Sequence, residues 1–140
     1  AQSGAVMAFR ILDKLGMPAD EIATVCSAIG NHDESTAFPV NAVAAALILA
    51  DKTDVRRTRV RNRDKATFDI HDRVNYAVEK ASTTLDAAGK AVVLDLQLDA
   101  GMSPVIDYFE IFLERMLLCR KAAEKLGLSF RLVVNGQTVL

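Results

Sequence analysis

The chain has 140 residues, of which 51% are hydrophobic and 25% are charged, and its formal net charge is −1. This length is enough for one domain with its own core, and the near-neutral charge excludes a general electrostatic attraction to nucleic acid or anionic membrane. No apolar run approaches the roughly 20 residues that a membrane-spanning helix needs. The first ten residues also lack the basic and apolar regions of a secretory signal.

Helical periodicity dominates the first half of the chain. Apolar residues recur at helical spacing between Ala5 and Leu15, and again over residues 19–30. The nine residues from Ala42 to Ala50 are all apolar, which is typical of a central, buried helix. We therefore predict a helical segment over residues 1–66, in which the first two helices pack on the third.

Strand patterns distinguish the second half, residues 67–140. After a short predicted helix over residues 69–81, alternating apolar residues predict a hairpin that turns near Gly89 and Lys90. The pair Asn135 and Gly136 predicts the turn of a second hairpin.

A long helix is expected between these two hairpins. Ser103 is predicted as its N-cap, Pro104 as its first residue and Gly127 as its stop. The expected fold class is α+β, with an all-helical first segment followed by a small antiparallel sheet and one long helix.

The two cysteines lie far apart, each in a helical apolar pattern. Cys26 and Cys119 are therefore expected to be buried and reduced, as in a cytoplasmic protein. The sequence has no C-x-x-C motif, so a structural zinc knuckle is not expected.

Asp51 is the strongest candidate for a functional residue. It follows the apolar run directly, and a carboxylate on a buried helix is costly unless a cation or metal neutralises it. The alternative is that Asp51 marks the point where the helix emerges and pairs with an arginine of the next turn.

His32 is one of only two histidines, and it follows the predicted helix end at Gly30. A histidine at a helix C-terminus is favoured by the helix dipole alone. Its acidic neighbours Asp33 and Glu34, and the later apolar helix that ends in a carboxylate, also make it a candidate metal ligand.

A basic run follows Asp51. Six basic residues crowd into residues 56–65, and arginine side chains match phosphate oxygens well. We predict phosphate contacts for Lys52, Arg56 and Arg57. The alternative is a solvated loop whose arginines pair with carboxylates such as Asp64 and Glu34.

The stretch "GAVMAFRILDKLGMPADEIATVCSAIGNHDE", followed by "AALILADKTD", resembles the later part of an HD-domain metal-dependent phosphohydrolase. The resemblance covers about residues 1 to 60. It implies that His32 and Asp51 bind a divalent metal of unknown identity, with Asp51 as the closing aspartate of the family pattern. It further implies a phosphorylated small molecule as substrate, and Asp33 is a candidate for orienting the attacking water.

The family's first histidine and its His-Asp pair have no counterpart before His32, so we expect them in a segment upstream of this chain. The dipeptide His71-Asp72 has the right letters but follows Asp51 and lies in a polar context. We predict that Asp69 or Asp72 caps a helix there and that the dipeptide is not the family motif.

Two functions from different classes stay open at this point. The complete protein is either a metal-dependent phosphohydrolase or a catalytically incomplete module for nucleotide sensing or oligomeric assembly, and a homo-oligomer is expected. Nucleic-acid binding is not expected, because no aromatic residue interleaves the arginines to provide a stacking platform.

Overall fold

Four of the five described helices precede the first strand and the fifth lies between the second and third strands, and the α+β class is confirmed. The computed structural model describes residues 1–33 and 37–140. Within these residues, no helix is both long and apolar enough to span a membrane. The elements in chain order are α1 (Gln2–Lys14), α2 (Ala19–Gly30), α3 (Ala42–Lys52), two 3-10 turns (Arg57–Arg59 and Lys65–Thr67), α4 (Ile70–Ala77), β1 (Val78–Asp86), β2 (Ala91–Leu98), α5 (Val105–Lys125), β3 (Ser129–Val134) and β4 (Gln137–Thr138).

The four strands form one sheet in the order β1-β2-β3-β4. The two predicted hairpins are confirmed as the antiparallel pairs β1/β2 and β3/β4. Asn135 and Gly136 have φ angles of +51° and +80°, as a tight type I′ turn requires. β2 and β3 run parallel, so the sheet is mixed rather than purely antiparallel. The long α5 crossover between them permits this parallel pairing.

The predicted start of α5 is wrong by one residue. Pro104 occupies the N-cap position, with no side-chain capping bond. The Ser103 hydroxyl instead donates to the Asp107 carboxylate at 3.2 Å. The predicted stop is confirmed, because Gly127 follows α5 with a φ of +72°, a conformation that favours glycine.

A single hydrophobic core joins the two halves of the chain. α5 lies on the sheet and buries Tyr108, Phe112 and Met116 among the inward residues of β2 and β3. α3 packs on α5 and contributes Ile48 and Leu49 to the same core. The helical segment is thus held to the sheet through α5.

α1 and α3 are less enclosed than their sequences suggest. α1 packs on α2 and has no buried residue, and Met7, Ile11 and Leu15 are all more than half exposed. α3 also leaves one face open, where Val43 is 46% exposed. The apolar arc of α1 is therefore wider than one neighbouring helix can cover. Cys119 is buried and Cys26 is partly buried, and neither forms a disulfide within the described residues.

Candidate functional site

His32 lies just past the C-terminal end of α2 and is bound to the last turn of that helix. Its Nδ1 lies 2.6 Å from the carbonyl oxygen of Ile29. A carbonyl only accepts hydrogen bonds, so this contact assigns the proton to Nδ1 and leaves the lone pair of a neutral ring on Nε2. A backbone carbonyl commonly orients metal-binding histidines in this way. This geometry leaves His32 Nε2 as the ring nitrogen that does not contact the Ile29 carbonyl.

Two acidic residues, Asp33 and Glu34, follow His32 in the chain. Asp33 is exposed, so its carboxylate can reach water. Glu34, named above as an acidic neighbour and a possible arginine partner, lies outside the described residues. Asp33 is therefore the acidic neighbour of His32 that has an exposed side chain in the described part of the chain.

Asp51 is less buried than the sequence led us to expect. The buried stripe of α3 passes through Ile48, Leu49 and Lys52, and Asp51 lies beside it with its side chain 39% exposed. The premise of a buried carboxylate is therefore wrong, because the helix is enclosed on one side only. An exposed carboxylate of this kind remains open to a cation.

Lys52 supplies the positive charge next to Asp51. Its ammonium lies 2.6 Å from the Asp51 carboxylate, and its side chain is only 5% exposed. The sequence also allowed an ion pair between Asp51 and an arginine of the next turn. In the structure, Asp51 pairs with the adjacent Lys52 instead. In this arrangement Lys52 is turned away from solvent, where a free phosphate would approach.

Residues 37–43 lead from the C-terminal end of α2 toward its N-terminal half. The N–H of Phe38 donates to the carbonyl of Asn31 at 3.2 Å, close to the C-terminal end of α2. Val43, in the first turn of α3, lines one surface depression with Asp20 and Val25 of α2. α3 therefore begins beside the N-terminal half of α2.

A complete set of metal ligands does not occur within residues 1–33 and 37–140. No three histidine, cysteine, aspartate or glutamate side chains there are grouped so that they could hold a metal ion. Catalytic zinc sites typically use three protein ligands. A centre built on His32 and Asp51 therefore needs ligands from outside the described residues.

The arginines after α3 contact their own chain. Arg56 Nε lies 2.8 Å from the Asp54 carboxylate, and Arg59 Nη1 donates to the Asp54 carbonyl at 3.0 Å. Arg57 Nε donates to the carbonyl of Tyr76 at 2.6 Å, and its guanidinium lies 4.5 Å from the centre of the Tyr76 ring. These contacts hold Arg57 against α4, whereas Arg56 forms an ion pair with Asp54 and remains exposed enough to meet a ligand.

Tyr76 contacts the basic loop through Arg57 and Lys65, and no pattern in the sequence predicts these contacts. Lys65 lies 4.6 Å from the ring centre of Tyr76. A hydrogen bond from Lys65, together with the positive charges of Lys65 and Arg57, lowers the pKa of Tyr76 below its ordinary value. A single tyrosine in a polar helix forms no periodic pattern. The sequence therefore could not predict that two cations lie over its ring.

A groove of about 490 Å³ lies between the end of α3 and β1. Thr53, Asp54 and Arg56 line one side, and Ala81 and Thr83 of β1 line the other. Arg56 is the predicted phosphate contact that faces this groove. The opening is apolar along the strand and charged at the helix end.

His71 belongs to a different part of the surface. The Asp69 carboxylate accepts a hydrogen bond from the Asp72 N–H at 2.7 Å, which confirms Asp69 as the cap of α4. His71 is exposed and lines a shallow depression with Glu114 and Arg115 of α5. The polar residues around the His71-Asp72 dipeptide are thus those of the capped start of α4.

Comparisons with known proteins give no relative of this chain: no family model, no curated protein and no solved structure matches it.

Proposed function

We propose that the complete protein hydrolyses a phosphate ester with the help of a divalent metal, and that His32 and Asp51 are two of the metal ligands. The observation that carries the proposal is the Nδ1 contact of His32 with the Ile29 carbonyl, which leaves Nε2 free to coordinate. The resemblance to HD-domain phosphohydrolases supports it, since His32 and Asp51 match the later part of that pattern.

The direction of the helices supports bringing the two ligands together. α3 begins beside the N-terminal half of α2, and we infer that it runs in the same direction as α2. Asp51 at the end of α3 would then approach His32 at the end of α2. The remaining ligands would come from outside the described residues.

The chain's own side chains would divide the chemistry as follows. A bound divalent metal lowers the pKa of water and polarises a phosphoryl oxygen. Asp33, exposed next to His32, would accept a hydrogen bond from the attacking water and orient it. Arg56, at the rim of the groove, would donate to the substrate phosphate. Lys52 would hold the Asp51 carboxylate in place while the metal is absent.

The test compares metal content and hydrolysis of p-nitrophenyl phosphate in the complete protein and its variants. Asp51→Asn keeps the side-chain shape but removes the negative charge, so metal content and rate should fall together, the rate by about 100-fold or more. His32→Ala should give an equal or smaller loss, and His71→Ala is the matched control with no expected effect. Full metal content and rate in Asp51→Asn would overturn the proposal.

A second candidate is a regulatory or assembly module without catalysis. The Asp51–Lys52 contact favours it, because the Lys52 ammonium already neutralises the Asp51 carboxylate without a metal. Such a module would bind a nucleotide or a second copy of itself, and cysteines outside disulfides are in keeping with the expected cytoplasmic location. Calorimetry showing nucleotide binding by a protein that lacks both metal and hydrolysis would favour this candidate over the enzyme.

A further inference from the structure

β1 forms a long free edge of the sheet. It has nine residues and pairs with β2 alone, and no other strand of the described part of the chain lies beside it. Natural edge strands are usually protected by charges, prolines or bulges. Here an irregularity between Val78 and Lys80 disturbs only the start of the strand. Residues 81–85, with the sequence ASTTL, carry no charge at all.

One face of this edge is only partly covered, since Ala81 packs against the core while Thr83 and Leu85 are exposed. Ala81, Thr83 and Leu85 pair with residues of β2 that point into the core, so they face the helix layer. That layer does not extend over the edge, because Leu85 is 65% exposed. Ala81 and Thr83 instead form the strand wall of the 490 Å³ groove. The edge therefore offers backbone hydrogen-bonding groups beside a space that an apolar side chain can enter.

We propose that β1 pairs antiparallel with β1 of a second copy of this chain, about a two-fold axis at Thr83. In this register Lys80 lies opposite Asp86 of the second copy, and Ala81 lies opposite its Leu85. The two four-stranded sheets become one continuous sheet of eight strands. In this sheet, Leu85 of each copy covers the part of the other copy's groove that Ala81 lines.

The charges at the two ends of the uncharged stretch favour pairing with a second copy of the chain, and they favour this register over its neighbour. Lys80 and Asp86 flank the uncharged stretch on one face of the strand, so Lys80 of each copy lies opposite Asp86 of the other, which also binds Arg131 of its own chain at 3.3 Å. A two-fold axis at Ser82 instead would place Lys80 opposite Thr84 and lose both charge pairs. An isologous pair of this kind is closed, so it gives a dimer rather than a filament.

A disulfide test reports the register directly. In the full chain, Thr83→Cys should form an intermolecular disulfide readily under mild oxidation, because the two copies of residue 83 are directly opposite. Ser82→Cys is the matched control, since in this register residue 82 faces residue 84 and not itself. The unmodified chain controls for disulfides through Cys26 and Cys119.

A charge-exchange test reports the partner. Light scattering should show a dimer for the unmodified chain, whereas Lys80→Glu alone and Asp86→Lys alone should be monomers, because each homodimer then opposes like charges. Mixing these two variants should restore a dimer, since both ends of the mixed pair regain opposite charges. Lys121→Glu, a change at an exposed lysine on α5, should leave the dimer intact. Circular dichroism confirms that every variant is folded.

A monomer for the unmodified chain at tens of micromolar would overturn the proposal. A dimer that survives Lys80→Glu and gives no Thr83→Cys disulfide would also overturn it, and would direct attention to the exposed apolar residues of α1. Preferential disulfide formation by Ser82→Cys would reject the register.

Discussion

The ammonium of Lys52 lies 2.6 Å from the carboxylate of Asp51, with the lysine almost fully enclosed and the aspartate partly exposed. The two residues are adjacent on α3, so their side chains leave the helix in different directions and meet only because the lysine folds back. A metal at Asp51 would compete with this ammonium for the same oxygen. Under the proposed function, metal affinity at Asp51 would therefore depend on the position of Lys52.

Lys52→Met tests this competition. Methionine has a similar volume without the charge, so metal affinity at Asp51 should rise by about tenfold while stability changes by no more than about 1 kcal/mol. Metal titration followed by calorimetry measures the affinity, and urea unfolding measures the stability. Unchanged metal affinity with a large loss of hydrolysis would show that Lys52 instead contacts the substrate.

Arg57→Ala separates a structural role from phosphate binding. The substitution removes a hydrogen bond to the Tyr76 carbonyl and a cation above the Tyr76 ring, so we expect a loss of about 1–2 kcal/mol in the free energy of unfolding. Arg61→Ala is the matched control, because Arg61 is exposed and should change stability by less than about 0.5 kcal/mol. A raised KM for a phosphate ester, with no change in stability, would establish phosphate binding by Arg57.

The two tyrosines should ionise in two separate steps. The hydrogen bond from Lys65 and the nearby cations lower the pKa of Tyr76, whereas burial raises the pKa of Tyr108. Ultraviolet titration of the phenolate should therefore show one step below pH 10 and one well above it. Lys65→Met should move only the first step upward. A single step for both tyrosines would contradict the contacts described for Tyr76.

Stability should depend on alkaline pH in opposite ways through these tyrosines. The folded pKa of Tyr76 is below its unfolded value, so its contribution grows as the pH rises between the two values. The folded pKa of Tyr108 is above its unfolded value, so its contribution is complete below about pH 10 and is lost as the pH rises further. Tyr108→Phe should reduce the loss of stability above pH 10, as measured by urea unfolding across this range.

Asn135 should stabilise the sheet more than an ordinary turn residue. Its side chain accepts from the N–H of Leu98 at 2.8 Å and donates to the carbonyl of Leu98 at 3.2 Å. Asn135→Ala should cost about 2–3 kcal/mol, because it leaves both groups of Leu98 without these bonds and places alanine at a positive φ. Asn135→Gly also removes the two hydrogen bonds to Leu98, but glycine adopts a positive φ easily. The smaller loss of stability in Asn135→Gly therefore measures the hydrogen bonds alone. Equal stability of all three proteins would refute the bridging role.

The sequence alone determined the features that depend on short-range chemistry. Helical periodicity predicts α1 and α2, the capping role of Asp69 follows from its carboxylate, and the turn at Asn135 and Gly136 follows from their tolerance of positive φ. Each is governed by residues within a few positions of one another. This is why the α+β class could be inferred before any packing was known.

Only the tertiary structure decided which faces of these elements are covered. The exposure of Asp51, the cations on Tyr76 and the open edge of β1 all depend on neighbours distant in sequence. An apolar run specifies that a surface favours burial, but it does not specify which element buries it or how much of it is left exposed. The parallel pairing of β2 with β3 is of the same kind, because it depends on where α5 returns the chain.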